Sequence, residues 1–267
     1  MKEEGKKMNK LGKLLLVGTM ALGLAGCGGN DKPTADNGDK KEPVTITIGI
    51  SPDYAPYESK TKEGKIVGFD VDMVDLFEKY LTEEEGVEYN LEFKEMDFDN
   101  IVVQIQGSQV DLGVSGFTYD EKRKVEWSEP YLGSSQVAVV NKNSDIKTKD
   151  DLKDKKIAAQ TGATGEKVAK DLTKDYVGMK SVQDIFTGLS SNQYDAVIVD
   201  SGVAKNYVNN GEFTLIDEVL LDEKNYIIAK EGNKEMIEKI NKCIQKFIAS
   251  EDYTKLCNEY GLTPLEK

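Results

Sequence analysis

Three residues of the sequence have side chains or positions suited to holding a small charged molecule. Arg123 is the only arginine, and its planar guanidinium can donate to both oxygens of a carboxylate. Thr164 follows Gly162 and Ala163 at a predicted helix start, where free backbone N–H groups attract anions. Asp200 ends a predicted buried strand. Each residue also has a structural interpretation: a surface arginine in a charged run, a helix cap, and a cap of the following helix.

The composition excludes several classes of function. The formal net charge is −13, so the chain would repel a phosphate backbone, and we expect no nucleic acid as partner. Histidine, the commonest general base and metal ligand, is absent from the sequence, and beyond Cys27 only Cys243 and Cys257 remain, too few for a multi-cysteine metal cluster. We therefore expect no cofactor and no metal. Cys243 and Cys257 both fall in the last helical stretch, where we favour a disulfide slightly over two buried thiols.

The hydrophobic pattern predicts alternating strands and helices. Predicted strands cover residues 45–50, 87–93, 110–114, 156–159 and 195–199, and predicted helices cover 70–81, 98–105, 164–172, 182–189, 201–210 and much of 236–260. This order predicts an α/β fold, with sheets flanked by helices. Two extended stretches, Ser135–Asn141 and Glu223–Ala229, would cross between two such units as a double hinge, and a ligand would sit where the carboxyl ends of strands meet.

The first residues are predicted to be a secretory targeting signal rather than part of the fold. A basic start precedes an apolar run over residues 14–24, which is shorter than the about 20 residues that span a bilayer. Leu24-Ala25-Gly26-Cys27 matches a bacterial lipobox, which predicts cleavage after residue 26 and lipidation of Cys27; the alternative is an ordinary signal peptide with a chance cysteine. Residues 27–43 are predicted to be a flexible tether. Either Met1 or Met8 is the start.

Ordered motifs carry a resemblance that covers nearly all of residues 44–262. These motifs are Asp53-Tyr54-Ala55-Pro56-Tyr57-Glu58, Gly68-Phe69-Asp70-Val71-Asp72, Met96-Asp97-Phe98-Asp99, Ser115-Gly116-Phe117-Thr118, Trp127-Ser128-Glu129-Pro130-Tyr131, Gln160-Thr161-Gly162-Ala163-Thr164-Gly165 and Tyr194-Asp195-Ala196-Val197-Ile198-Val199-Asp200. In this order they resemble the periplasmic-binding-protein-like receptors for polar amino acids of ABC importers. The resemblance implies a type II fold with two lobes, each a mixed sheet flanked by helices, joined by two hinge strands.

The resemblance assigns roles to ten residues. Arg123 and Thr164 would bind the carboxylate of an amino acid, and Asp200 would bind its ammonium group. The other candidate ligand-binding residues are Ser51, Tyr54, Phe98, Ser115, Gly116, Thr118 and Gln160. Ser51 stands where receptors for basic amino acids and for glutamine carry an acid, although Asp53 is close enough to substitute. Neutral polar ligands are therefore expected ahead of basic ones. The motif at Gly68–Asp72 is assigned to structure.

The resemblance also implies boundaries, partners and a location. Lobe 1 would comprise residues 44–131 plus 227–267 and lobe 2 residues 137–221, with hinges near 132–136 and 222–226. The partners would be a free amino acid, an ABC permease and, through the lipid anchor, the outer face of the cell membrane, with the protein a monomer. The chain would not be an enzyme. Two alternatives remain open: an exported enzyme similar to cyclohexadienyl dehydratase, and a component that presents ligand to a sensor.

Overall fold

The computed structural model describes residues 42–265 of the chain. Within this range there are eleven strands: β1 (Val44–Ile50), β2 (Asp53–Tyr54), β3 (Glu58–Lys60), β4 (Ile66–Val67), β5 (Tyr89–Glu95), β6 (Leu112–Thr118), β7 (Val125–Asn141), β8 (Ile157–Gln160), β9 (Tyr176–Met179), β10 (Ala196–Asp200) and β11 (Phe213–Lys230). The helices described are α1 (Phe69–Glu85), α2 (Phe98–Gln106), α3 (Thr164–Leu172), α4 (Val182–Ser190), α5 (Ser201–Val208), α6 (Lys234–Ile248) and α7 (Glu251–Tyr260). None of these helices is both long and apolar enough to cross a lipid bilayer.

Eight of the strands form one mixed sheet with the order β5-β1-β6-β11-β7-β10-β8-β9. We call β5, β1 and β6, which are parallel, the first sheet half, and β10, β8 and β9, also parallel, the second sheet half. The long strands β7 and β11 are antiparallel partners that run through both halves. Their pairing shifts register several times between Leu215 and Ile228, at the junction of the two halves. The predicted α/β fold is thus confirmed, with its parallel strands on either side of a shared two-stranded crossing.

The predicted hinge segments lie side by side at this crossing. Leu132 pairs with Asn225 and Gln136 pairs with Leu221, so the segment 132–136 of β7 faces the segment 221–225 of β11. The predicted extended stretches are therefore parts of two much longer strands. Their use as a hinge remains a prediction.

The helices pack as their apolar spacing predicts. Residues three or four apart on α6, among them Ile240, Ile244 and Phe247, are buried against α1. The Phe247 ring lies 6.0 Å from the centroids of both Phe69 and Phe77 on α1. This packing fixes the start of α1, and with it the acidic residue Asp70 that lies behind the candidate site.

The smallest strands were not predicted from the sequence, and the prediction for the two cysteines was wrong. Strands β2, β3 and β4 form a separate three-stranded sheet, but with two or three residues each they are too short to show alternation. The favoured disulfide is wrong: Cys243 on α6 and Cys257 on α7 are both free and buried. Each thiol packs in the apolar core, which accounts for its burial without a covalent bond.

Candidate functional site

A small cavity lies between the two sheet halves. Its lining residues come from β6, β7, β8, α2, α3 and the end of β2: Tyr54, Phe98, Ser115, Gly116, Thr118, Gln136, Gln160, Ala163 and Thr164. Seven of the ten predicted ligand-binding residues are in this set. The cavity volume is about 10 Å³, so the side chains of the two halves nearly touch. The structure thus brings together residues that are far apart in sequence at the carboxyl ends of parallel strands.

Two hydroxyl groups bridge the halves at the cavity. Thr118 Oγ1 at the end of β6 and Thr164 Oγ1 at the start of α3 are 3.0 Å apart. Thr164 is the first residue of α3, whose N-cap is Ala163, and that cap makes no side-chain hydrogen bond. Thr164 is therefore not the cap, and the amino end of α3 points its peptide dipole towards the cavity region.

Arg123 also joins the two halves, from just beyond the cavity. Its Nη1 donates to Thr118 O at 3.0 Å, and its Nη2 donates to Gly162 O at 2.7 Å. The guanidinium lies over the rings of Phe98 and Phe117, with its carbon 5.6 and 5.3 Å from their centroids. Burial lowers the pKa of Arg123, against the raising effect of Asp120 and Glu223, but an arginine stays charged. The surface-arginine interpretation therefore does not describe this half-buried side chain.

Asp200 caps a helix and is held by both halves. Its Oδ1 accepts from Tyr57 Oη at 2.6 Å and from Gly202 N at 2.8 Å, while its Oδ2 accepts from Ser134 Oγ. Burial raises the pKa of Asp200, and the bonds from Ser134 and Tyr57 counteract it. The structure shows the capping interpretation directly. Since Oδ2 accepts only one bond among the described residues, the carboxylate retains acceptor capacity, and its role towards an ammonium group stays a prediction.

Ser51 lies outside the cavity, in a neighbouring groove. This groove has a volume of about 340 Å³ and is lined by Ser51, Pro52, Asp53, Glu95, Met96, Asp97, Lys180 and Ser181. Ser51 Oγ donates to Asp53 Oδ1 at 3.1 Å, and Asp53 Oδ2 accepts from Val182 N, at the start of α4, at 2.8 Å. The acid that the sequence lacks at position 51 is thus present two residues later. Through its hydrogen bond with Val182 N, the Asp53 carboxylate connects one sheet half to the other.

The lysine of this groove adds a second connection between the halves. Lys180 Nζ lies 2.8 Å from Asp97 Oδ2 and 3.6 Å from Asp99 Oδ1. Gln160 is tied to the same residue, because its Nε2 donates to Lys180 O at 3.1 Å. The contacts of Lys180 with Asp97 and Asp99 join the two halves at the groove, in addition to the contact between Arg123 and Gly162.

Two buried carboxyl groups stand directly behind the cavity. Ser115 Oγ donates to Glu58 Oε1 at 2.6 Å, and Gly116 N donates to Asp70 Oδ2 at 3.3 Å. Both acids have no exposed surface, and burial raises the pKa of Glu58 well above its ordinary range and that of Asp70 to about 7. Tyr131 Oη also donates to Asp70 Oδ2 at 3.1 Å. Asp70 belongs to the motif that was predicted to be structural, and its carboxyl supports the backbone of the cavity wall.

Sequence reasoning missed other polar residues at the cavity. Gln136 on β7 lines it, and Glu223 on β11 lies behind the lining, hydrogen-bonded to two of the lining residues. Glu223 Oε2 accepts from Gln136 Nε2 at 2.9 Å and from Thr164 Oγ1 at 3.0 Å. Both residues lie on the crossing strands β7 and β11. The sequence predicted extended segments there, but it did not indicate which of their side chains point towards the cavity.

Comparison with known proteins gives consistent matches along the whole described chain. The family model "Bacterial extracellular solute-binding proteins, family 3" matches residues 46–263. The arginine-binding extracellular protein ArtP of Bacillus subtilis is 29% identical over 259 residues, which cover 93% of this chain and 96% of ArtP.

Solved structures are similar over most of the chain. A mutant of ArgBP from T. maritima is 32% identical with a TM-score of 0.74, covering 81% of this chain and 95% of that one. An ancestral arginine-binding protein bound to glutamine is 33% identical with a TM-score of 0.72, covering 81% of this chain and 97% of that one. All three relatives carry the names of binding proteins.

Proposed function

The chain belongs to the bacterial extracellular solute-binding proteins, family 3, and we propose that it captures a free polar amino acid between its two sheet halves for an ABC transporter. The observation that carries the proposal is the meeting of Arg123, Thr118 and Thr164 across the two halves. A charged fork, two hydroxyls and a helix amino end converge there. Together they match the needs of an α-carboxylate that has to leave water.

The two charged groups of the ligand would use different partners. The guanidinium of Arg123 has five N–H groups, and its bonds to Thr118 and Gly162 leave others for a carboxylate. The ammonium group would lie towards Asp200. Tyr54 and Phe98 would enclose the aliphatic stem, while Gln160 and Ser51 face the end where the side chain would point. Since the cavity holds little free volume, the halves would have to part before the ligand enters.

For the ligand side chain, we propose neutral polar amino acids first and basic ones second. Ser51 supplies a hydroxyl rather than a charge. The adjacent groove contains Asp53, Glu95 and Asp97 with a single lysine, which also suits a cationic end. ArtP and the ancestral protein are both named for arginine, and the ancestral protein was solved with glutamine, so both classes belong in the same experiment.

Binding rather than catalysis is the activity that we propose. The residues lining the cavity in the described part of the chain include no lysine, aspartate or glutamate that would act directly as an acid or base. Closure of residues 44–131 plus 227–267 against 137–221 would present a closed form to the permease, with hinges near 132–136 and 222–226. Turnover of small carboxylic acids by the purified protein would instead support the enzymatic alternative.

A thermal-shift screen against the free amino acids tests the proposal. We expect at least one neutral polar or basic amino acid to raise the unfolding midpoint. At 100 times its Kd a ligand stabilises by about 2.7 kcal/mol, which is roughly 5–10 °C for a domain of this size. The corresponding amino acid amides, which lack the carboxylate, serve as controls and should give a much smaller shift. If no amino acid shifts the midpoint, amino-acid capture is wrong.

We propose in addition that Cys27, which lies outside the described residues, carries a lipid anchor. The supporting observation is the Leu24-Ala25-Gly26-Cys27 sequence at the end of a short apolar run. In cells fed a palmitate analogue, the protein should be labelled and should sediment with membranes. The Cys27→Ser variant should be unlabelled, whereas Cys243→Ala, which removes a buried thiol, should keep the label. Labelling that survives in Cys27→Ser would contradict this assignment.

A further inference from the structure

The carboxylate of Glu223 accepts hydrogen bonds from side chains that line the cavity. It lies on β11 opposite Ser134 of β7, within the crossing that joins the sheet halves. Its Oε2 accepts from Gln136 Nε2 and from Thr164 Oγ1, at 2.9 and 3.0 Å. Both donors line the cavity, and Thr164 is also the first residue of α3. An internal carboxylate therefore already accepts a hydrogen bond from the side chain of the first residue of this helix.

The charge of Glu223 also acts on the arginine of the site. Glu223 is one of two acids that raise the pKa of Arg123 against the effect of burial. Since the sequence contains a single arginine, the same guanidinium is the one available to a ligand carboxylate. Glu223 thus already provides part of the negative charge that Arg123 needs in a site with little water.

The hydroxyl of Thr164 can serve only one acceptor at a time. A threonine hydroxyl has one proton, and here that proton is donated to Glu223. Thr118 Oγ1, 3.0 Å from Thr164 Oγ1, then donates to Thr164, which gives a chain of bonds from Thr118 through Thr164 to Glu223. A ligand carboxylate on Thr164 would have to take over the end of this chain. Two carboxylates on the same donor would repel each other.

We infer that Glu223 is a built-in competitor for the ligand carboxylate. It holds the closed arrangement through Thr164, whose hydroxyl contacts Thr118 of the first half, and it must be displaced when an amino acid binds. The inference rests on the proposed function for the kind of ligand, although the contacts of Glu223 do not depend on it. Its consequence is a lower affinity than the same site would have without this side chain. Glu223 would also hold the two sheet halves together when no amino acid is bound.

A role for Glu223 as a direct ligand contact predicts the opposite effect on affinity. If Glu223 instead bound the ammonium group of the ligand, removing its charge would weaken binding. Glu223→Gln separates these cases, because glutamine keeps the shape of the side chain but makes weaker bonds to Thr164 than a carboxylate does. Asp222→Asn is a matched control, since Asp222 is the exposed acid one position earlier and loses the same charge.

The first test is calorimetric titration of the purified protein with L-glutamine, L-histidine and L-arginine. We expect Glu223→Gln to bind about three- to tenfold more tightly than the wild type, which is the effect of weakening one or two hydrogen bonds of the competitor. Asp222→Asn should bind like the wild type. Unchanged or weaker binding by Glu223→Gln would overturn the inference, as would an equal gain in Asp222→Asn.

A second test needs no ligand and so stays informative if amino-acid binding itself fails. After unfolding, dialysis and refolding to remove any bound small molecule, small-angle X-ray scattering gives the radius of gyration. We expect Glu223→Ala to be larger than the wild type and Asp222→Ala to be the same size. Equal radii for Glu223→Ala and the wild type would show that Glu223 does not hold the halves together. Absence of a midpoint shift with every free amino acid would reject the proposed function, and the scattering result alone would then decide this inference.

Discussion

Replacing Arg123 with methionine should abolish amino-acid binding while the protein stays folded. The guanidinium donates to Thr118 O and Gly162 O on opposite halves, and it supplies the positive charge for the proposed carboxylate. Removing one partner of a desolvated, hydrogen-bonded charge pair costs about 2–5 kcal/mol, at least about thirtyfold in Kd. Titration with whichever amino acid gives the largest thermal shift measures this loss. Circular dichroism spectra and unfolding midpoints check that the fold is intact.

Two further variants make this result specific. Arg123→Lys keeps the positive charge but loses the planar fork, so its binding should fall between the wild type and Arg123→Met. Lys124→Met removes a positive charge from the exposed neighbouring residue and should bind like the wild type. If Arg123→Met and Lys124→Met lost affinity equally, Arg123 would contribute only to the general potential of the surface.

The fold was largely predictable because the hydrophobic pattern of each main helix or strand lies within one continuous segment of the sequence. The apolar spacing of α1, α2 and α6 and the apolar run of β10 each lie within one continuous segment. The lengths of β7 and β11 were not predictable in this way. These strands pair with each other through several register shifts, and their central parts carry polar residues that the crossing uses for the cavity. Their pattern is set by two different sheet halves, so no single alternation runs through them.

The candidate site was predictable as a set of positions but not as a set of contacts. Motif order indicated that Ser115, Thr118 and Thr164 would meet, and the structure puts all three on one cavity. It did not indicate the partners of Asp200, because Tyr57 and Ser134 are 143 and 66 residues away from it. Hydrogen bonds between residues so far apart in sequence form only in the folded chain, and no local pattern indicates them.

The carboxyl pair behind the cavity should make the protein more stable in mild acid than at pH 8. Glu58 and Asp70 are fully buried, and each of the two carboxyl groups affects the pKa of the other. Glu58 Oε2 and Asp70 Oδ1 are buried and have no hydrogen-bond partner among the described residues, and a proton on this pair of carboxyl groups would supply the missing donor. Burial is the largest cause of the raised pKa of each group. Keeping one proton on the pair avoids placing two charges in the core.

The direction of the pH effect follows from the proton that the folded state retains. The pKa of Asp70 is about 7 in the folded protein against 3.8 for an ordinary aspartate, so the folded protein binds a proton that the unfolded chain has released between these values. The stabilisation is complete below pH 4 and is lost as the pH rises through 7. Asp70 alone lowers the free energy of unfolding over this window by up to about 1.4 kcal/mol per pH unit, and by about 4 kcal/mol in all; Glu58, whose pKa is also raised, adds a loss of the same sign.

Asp70→Asn should remove much of this dependence. The amide oxygen can still accept from Tyr131 and the backbone N–H of Gly116, while the amide nitrogen can donate to Glu58 without a titrating proton. Denaturant unfolding at pH 5, 6, 7 and 8 should therefore give a flatter curve for Asp70→Asn and a higher free energy of unfolding than the wild type at pH 8. Glu88→Gln, a neutralised exposed acid, should keep the wild-type slope. An Asp70→Asn variant as pH-dependent as the wild type would show that Asp70 does not carry a proton that the folded state retains.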